Sequence, residues 1–242
     1  MPGFGTIINV LFIIFGGTAG VLFGNKLSEK SRETLLLANA IAVLFIGISG
    51  ALQHMFVLAG DRHLDTAGTM MMIASLSVGA IIGEFIDLEG KIERFGEWLK
   101  QRTGNSHDAG FVGAFVTASL TVCIGAMAIV GSLEDGISGD HSILLAKAVL
   151  DLIIVMVMAA SMGKGCIFSA VPVGFLQGTV TAAAVLIRPF ITDAAMNNLS
   201  LVGSILIFCV GVNLFWGKKI RVANLLPSLI IASAWAYFPF LQ

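Results

Sequence analysis

Charge is what this chain has least of. Its 242 residues carry 14 Lys and Arg and 15 Asp and Glu, 12% in all, where an ordinary soluble domain is about a quarter charged. The net charge of −1 leaves no basic footprint for nucleic acid. Cysteine is equally sparse: Cys123, Cys166 and Cys209 fall in apolar segments far apart in sequence. They have neither metal-ligand spacing nor a disulfide pattern, and read as buried thiols. Catalytic motifs are missing too. No HExxH and no Ser–His–Asp set is visible, and the four histidines, at 54, 63, 107 and 141, all lie in or beside loops. The glycines at 16, 17, 20 and 24 follow no strand and precede no G-K-[ST], so they are a helix-packing pattern and not a phosphate loop. The expectation is a non-enzyme without a cofactor or a metal. The opening MPGFG lacks a basic n-region, and no small-residue cleavage site follows a short apolar core, so the first apolar helix is expected to stay.

Apolar residues fill the space left by charge. They make up 57% of the chain, and the mean hydropathy is +0.94, which places it in the bilayer. A spanning helix needs about 20 mostly apolar residues. Eight segments qualify: 5–24, 35–59, 67–87, 109–133, 143–163, 165–188, 200–216 and 220–241. Pro172, Gly174, Gln177 and Gly178 break the sixth, and Asn224 and Pro227 interrupt the last. The fold class is therefore all-α, a polytopic transmembrane bundle of about 7–8 spans forming one integral membrane domain over 1–242.

Basic residues set the orientation. Lys26, Lys30, Arg32, Lys91, Arg94, Lys100, Arg102, Lys164, Lys218, Lys219 and Arg221 fall in odd-numbered loops; only Arg62 and Arg188 fall on the other side. Odd loops are thus expected in the cytoplasm, with the N-terminus outside. Between charged residues, Leu88, Ile92, Phe95 and Leu99 recur at helical spacing beside Trp98, so 88–103 reads as an amphipathic helix on the cytoplasmic membrane surface.

The chain also echoes itself. Thr34–Leu44, TLLLANAIAVL, aligns without a gap on Ser142–Leu152, SILLAKAVLDL, with five identities. The match sets Asn39 on Lys147, Val43 on Asp151 and Gly17 on Gly125. A second echo, V-G-x-x-x-G, occurs at Val78–Gly83 and Val173–Gly178. Spans one to three (5–87) then resemble spans four to six (109–188), with 200–241 as an addition. An odd number of spans per copy inverts the second in the bilayer, and inverted repeats are a recurrent build of secondary transporters.

From Cys123 to Thr181 the motifs C-x-G-x-M-x-I-x-G-S, D-G-x-x-G-D, K-x-x-L-D and Q-G-x-x-T appear in order, and the chain opens with GTIINVLFIIFGGTAG. These resemble the YdfK/YqgA-like family of uncharacterised bacterial multi-pass membrane proteins. The resemblance implies the bacterial cytoplasmic membrane and carries no substrate and no catalytic residues.

Lys147 and Asp151 are the best functional handle. They share a helix face one turn apart inside the apolar run 143–163, and charge in hydrocarbon persists only where a partner, water or a task offsets its cost. The pair either serves a pathway or fastens helices together. Gln177 and Thr181, in the broken sixth span, are candidates to line the same pathway, against a plain kinked helix. Asn39 joins them because the repeat sets it across from Lys147. Asn9, Gln53, His54 and Asn213 read as interhelical hydrogen-bonding groups. Glu134, Asp135 and Asp140, with His141, form an expected acidic outer loop, either a vestibule for cations or a solvated turn with Asp140 or Ser142 capping the next helix. The leading function is transport of a small solute or ion, ion- or proton-coupled. An oligomeric channel or pore and a non-transporting scaffold are the alternatives. The partners expected are the lipid bilayer and the solute or ion; glycine-rich helix faces permit a homo-oligomer without requiring one, and nucleic acid is not expected.

Overall fold

In a computed structural model, residues 2–59, 63–123, 126–187 and 192–237 are described. They run α1 (Phe4–Gly24), α2 (Glu29–Met55), β1 (Phe56–Ala59), β2 (His63–Thr66), α3 (Thr69–Ile86), α4 (Leu88–Arg102), α5 (Phe111–Cys123), α6 (Ala126–Ile137) and α7 (Ser142–Met162). A 3-10 segment (Lys164–Ser169) then leads into α8 (Ala170–Ala182), followed by α9 (Ala184–Ile187) and α10 (Asp193–Trp216). A second 3-10 segment (Val222–Leu225) leads into α11 (Pro227–Trp235). The protein is an all-α, multi-pass membrane protein. Among the described residues, six helices are long and apolar enough to cross a bilayer, and α5 with α6 makes a seventh span if that bent pair crosses as one. Large apolar side chains such as Phe85, 93% exposed, and Phe175, 76% exposed, fit lipid and not water.

Several boundaries differ from the sequence reading. The second span stops at Met55, and the chain turns into a short antiparallel hairpin pairing Phe56 with Thr66. The segment read as the fourth span holds two helices, α5 and α6, whose axes differ by 62°. The sixth is broken earlier than its proline suggested: the 3-10 segment passes into α-helix at Ala170, and Pro172 sits in the first turn, where a missing N–H costs little. The last apolar stretch, Val222–Trp235, is too short to cross a bilayer as one helix.

The chain packs as two compact units, each built from distant stretches of sequence and neither coinciding with 5–87 or 109–188. The first gathers the described residues of 1–39, 91–123 and 127–189. Its axis is the pair α1 and α7. A Cβ at Gly16, Gly20 or Gly24 would strike the carbonyl of Leu152, Met156 or Ala160, so a stripe of hydrogens lets one backbone lie on the other. The contacts rise together along both helices, which therefore run parallel. The Arg32 guanidinium donates to the Gly24 carbonyl at 2.9 Å, placing a cation at the C-terminus of α1. At the same end Gly165 admits the Phe111 carbonyl, and Phe111 meets Phe168 at 5.1 Å between ring centres. Ile13, Ala114, Ala118, Val155, Met158, Cys166 and Val173 form the core. Helix α4 lays Ile92 and Leu99 against Phe111 and Phe115, and leaves Phe95 and Trp98 exposed, stacked at 5.7 Å.

The second unit gathers the described residues of 40–90 and 190–242, with 126. Here the V-G-x-x-x-G of α3 has a clear use: Gly79 and Gly83 admit Ser228 and Asn224, so α11 and the 3-10 turn before it lie directly on α3. Arg221 bridges Glu84 and Asp87 at 2.6 and 2.5 Å. Buried Glu89 pairs with Lys218 at 2.7 Å and accepts the Ala223 N–H at 3.2 Å. Asn213 closes the loop after α10, donating to the Ile220 carbonyl and accepting the N–H groups of Lys219 and Ile220.

Candidate functional site

The site of interest lies at the C-terminal end of α5, inside the first unit. A helix that ends leaves its last carbonyls without helical partners and carries the negative end of its dipole there. Val122 is the penultimate described residue of α5, and its carbonyl accepts a hydrogen bond from Lys147 Nζ at 2.9 Å. The same ammonium donates to Asp151 Oδ1 at 2.8 Å and Oδ2 at 2.6 Å. From α1, Asn9 Nδ2 donates to Asp151 Oδ2 at 3.0 Å. Lys147 is 6% exposed, Asp151 3% and Asn9 0%. Asp151 is the tenth of 21 residues in α7, midway along a spanning helix. The one-turn spacing read from sequence therefore does form an ion pair, and the pair is held from three helices.

The same unit holds further buried polar groups without partners. Thr6 Oγ1 and Asn9 Oδ1 on α1, Ser119 Oγ on α5, and Gln177 Nε2 and Oε1 with Thr181 Oγ1 on α8 are all buried and meet no hydrogen-bonding group of the protein. Each orphan of this kind costs about 1–3 kcal/mol unless something binds it. Thr6 and Asn9, Lys147 and Asp151, and Gln177 and Thr181 are each one helical turn apart on their own helices. Val10 of α1 approaches Gly174 of α8, while nothing lies within 4 Å of where a Cβ on Gly178, beside Gln177, would stand.

Asn39 is not the amide that faces the pair. It is buried on α2 with its Nδ2 unpartnered, and the amide on Asp151 belongs to Asn9. The reason is the glycine stripe, which gives α7 the backbone of α1 as its neighbour. Asn9 was readable as an interhelical hydrogen-bonding group, and the stripe was readable as a packing face; the register between them was not. Val122 had no signal, since it joins the pair through a main-chain carbonyl, which every residue has.

The acidic loop is also revised. Glu134 and Asp135 lie within α6, and Asp135 is fully buried. Its Oδ2 accepts the Gly5 N–H at 3.1 Å, satisfying the first turn of α1, and its Oδ1 pairs with His141 Nδ1 at 3.0 Å. Asp135 thus fastens α6 to α1 and faces no vestibule. Asp140 alone is an exposed loop carboxylate. It accepts both the hydroxyl and the N–H of Ser142, at 2.6 and 2.9 Å, and those bonds hold its carboxyl below the ordinary carboxylate range. Among the described residues, no group of three or more His, Cys, Asp and Glu could hold a metal ion.

Comparison with known proteins adds kinship without a mechanism. The family described as "Protein of unknown function (DUF554)" matches residues 4–237. The "Uncharacterized membrane protein YdfK" of Bacillus subtilis (strain 168) is 31% identical over 228 residues, 94% of this chain and 93% of that protein. The "Uncharacterized protein YqgA" of Escherichia coli (strain K12) is 29% identical over 233 residues, 94% of each. No solved structure matches the chain.

Proposed function

The chain belongs to this family of unknown function, DUF554, and for it we propose a transporter of a small solute or ion, coupled to an ion or to protons, whose pathway passes the Lys147–Asp151 pair. One observation carries the reading. A carboxylate midway along a spanning helix is bound to an ammonium, to an amide from a second helix and, through the ammonium, to a main-chain carbonyl of a third. Broken helices whose ends converge on a charged group are how secondary transporters build sites inside the bilayer. Buried ion pairs stabilise poorly compared with apolar packing, so a pair kept at this depth argues for a task. The unpartnered Gln177, Thr181, Thr6 and Ser119 supply hydrogen-bonding groups for a polar cargo.

The reading includes an inverted repeat of 5–87 and 109–188, supported by the two sequence echoes. It includes no enzymatic step. It places the protein in the bacterial cytoplasmic membrane with the N-terminus outside and the odd loops inside, supported by the basic residues of those loops. A channel would be favoured by a ring of acid at its mouth, and the burial of Asp135 against Gly5 and His141 takes away the best candidate for one.

The test begins with a melting screen of the purified protein across ions and small metabolites. Uptake of any stabilising compound is then measured in proteoliposomes, where Asp151→Asn should abolish flux while the protein still inserts and purifies. Full flux through that variant ends the pathway claim.

A further inference from the structure

Three oxygens stand around Lys147 Nζ at hydrogen-bonding distance: the Val122 carbonyl at 2.9 Å and both oxygens of Asp151, at 2.8 and 2.6 Å. Asn9 stands beside the carboxylate on its other side. Its Nδ2 already touches the Asp151 carboxylate, and its Oδ1 is buried with no partner in the protein. A carboxylate and a main-chain carbonyl are among the donors with which proteins hold a hard cation. Among the described residues, the ammonium is the positive group that the carboxylate and the carbonyl meet, and it reaches them on the stem of a residue one turn away.

We infer that this is a monovalent-cation site whose occupant is tethered: the ammonium of Lys147 stands where a free sodium or potassium ion would otherwise sit. The charge arithmetic selects valence. Asp151 supplies a single negative charge, so a monovalent cation closes the site at zero, whereas a divalent one would leave a net charge in the apolar interior. The protein consequently needs no dissolved cation at Asp151, and any ion coupled to its activity binds elsewhere or exchanges with the ammonium. This inference concerns binding and does not rest on the transport reading.

Two variants test it on the full-length purified protein. Lys147→Ala removes the ammonium and leaves its space. Lys147→Gln keeps most of the stem and adds an amide oxygen to the donor set. Thermal unfolding midpoints are compared in sodium, potassium and choline chloride at equal ionic strength. Wild type should show no sodium- or potassium-specific rise that Asp151→Asn removes. The variants should show a saturable rise in sodium or potassium over choline, and adding Asp151→Asn to either should abolish that rise. A wild-type protein that responds as the variants do overturns the inference, as do variants that respond to neither ion. A Lys147→Ala protein rescued only by methylammonium also overturns it, because the site would then accept an ammonium and not a cation in general. Failure of both variants to fold in sodium and in potassium counts against it too, since neither ion would then replace the side chain.

Discussion

Replacing Lys147 with Met leaves the Asp151 carboxylate in an apolar interior with a single hydrogen bond, from Asn9 at 3.0 Å. Replacing Asp151 with Leu leaves the ammonium with only the Val122 carbonyl, at 2.9 Å. Breaking a buried pair from either side costs about 3–5 kcal/mol, because the surviving charge is uncompensated. The two single costs therefore sum to about 6–10 kcal/mol. Removing both charges behaves differently. Apolar replacement of a whole buried pair is neutral or gains about 1–4 kcal/mol, against about 1–3 kcal/mol for each polar group then left unmatched, here the Val122 carbonyl and the Asn9 amide. With mid-range values, a gain of about 2 against a cost of about 4 kcal/mol, the Lys147→Met/Asp151→Leu double variant should lie about 2 kcal/mol below wild type, and the coupling energy should exceed about 3 kcal/mol. Equilibrium unfolding of all four proteins in lipid bicelles measures the cycle. Single costs that add to the double within about 0.5 kcal/mol would refute the energetics assigned to the node. The same four proteins separate the two roles of the pair. If the double variant regains stability but carries no flux, the charges are there for transport; if it regains both, the pair fastens helices.

Other expectations are simpler to check. Gly20→Leu should drive α1 off the Met156 carbonyl and the Ala159 side chain and cost about 3 kcal/mol or more, whereas Gly178→Ala, which meets nothing within 4 Å, should stay within about 0.5 kcal/mol of wild type in the same unfolding measurement. Asp135→Leu should cost about 1–3 kcal/mol by leaving the Gly5 N–H and His141 without their buried partner, and should raise hydrogen exchange at the first turn of α1. Asp140 has a carboxyl held below its ordinary range by Ser142, so its contribution is full above the unfolded carboxylate pKa and fades as pH falls through the folded value. The acid limb of a stability–pH curve should accordingly be shallower in Asp140→Ala than in wild type.

Much of this fold was legible because lipid imposes simple rules. Apolar runs of about 20 residues became helices, the glycines of α1 became a packing face, and the charged, apolar-striped stretch after α3 became α4. What was hidden depends on where backbone stops being helical. Between α5 and α6 the sequence carries no proline and no charge. The hairpin at 56–66 lies at the end of an apolar run whose β-branched and aromatic residues are also common in spans. The candidate site was half visible for the same reason: Lys147 and Asp151 are written in the sequence as side chains of one helix, while Val122 joins them through a main-chain atom and Asn9 through a register set by three glycines.

The proposed repeat gives the pair its sharpest interpretation. It matches the helix of Lys147 and Asp151 with α2, where Asn39 and Val43 stand at the corresponding places. Both are buried, Val43 at 2% and Asn39 at 7% exposure, so the matching helix closes its interior at these positions without a charge. A helix of this pattern does not need the ion pair to pack. Nor does α7 need it to hold α1, since Gly16, Gly20 and Gly24 already bring the two backbones into contact along three turns. With packing supplied from both directions, the proposed binding role predicts that the double variant regains its stability and loses its flux, the outcome that helix fastening excludes.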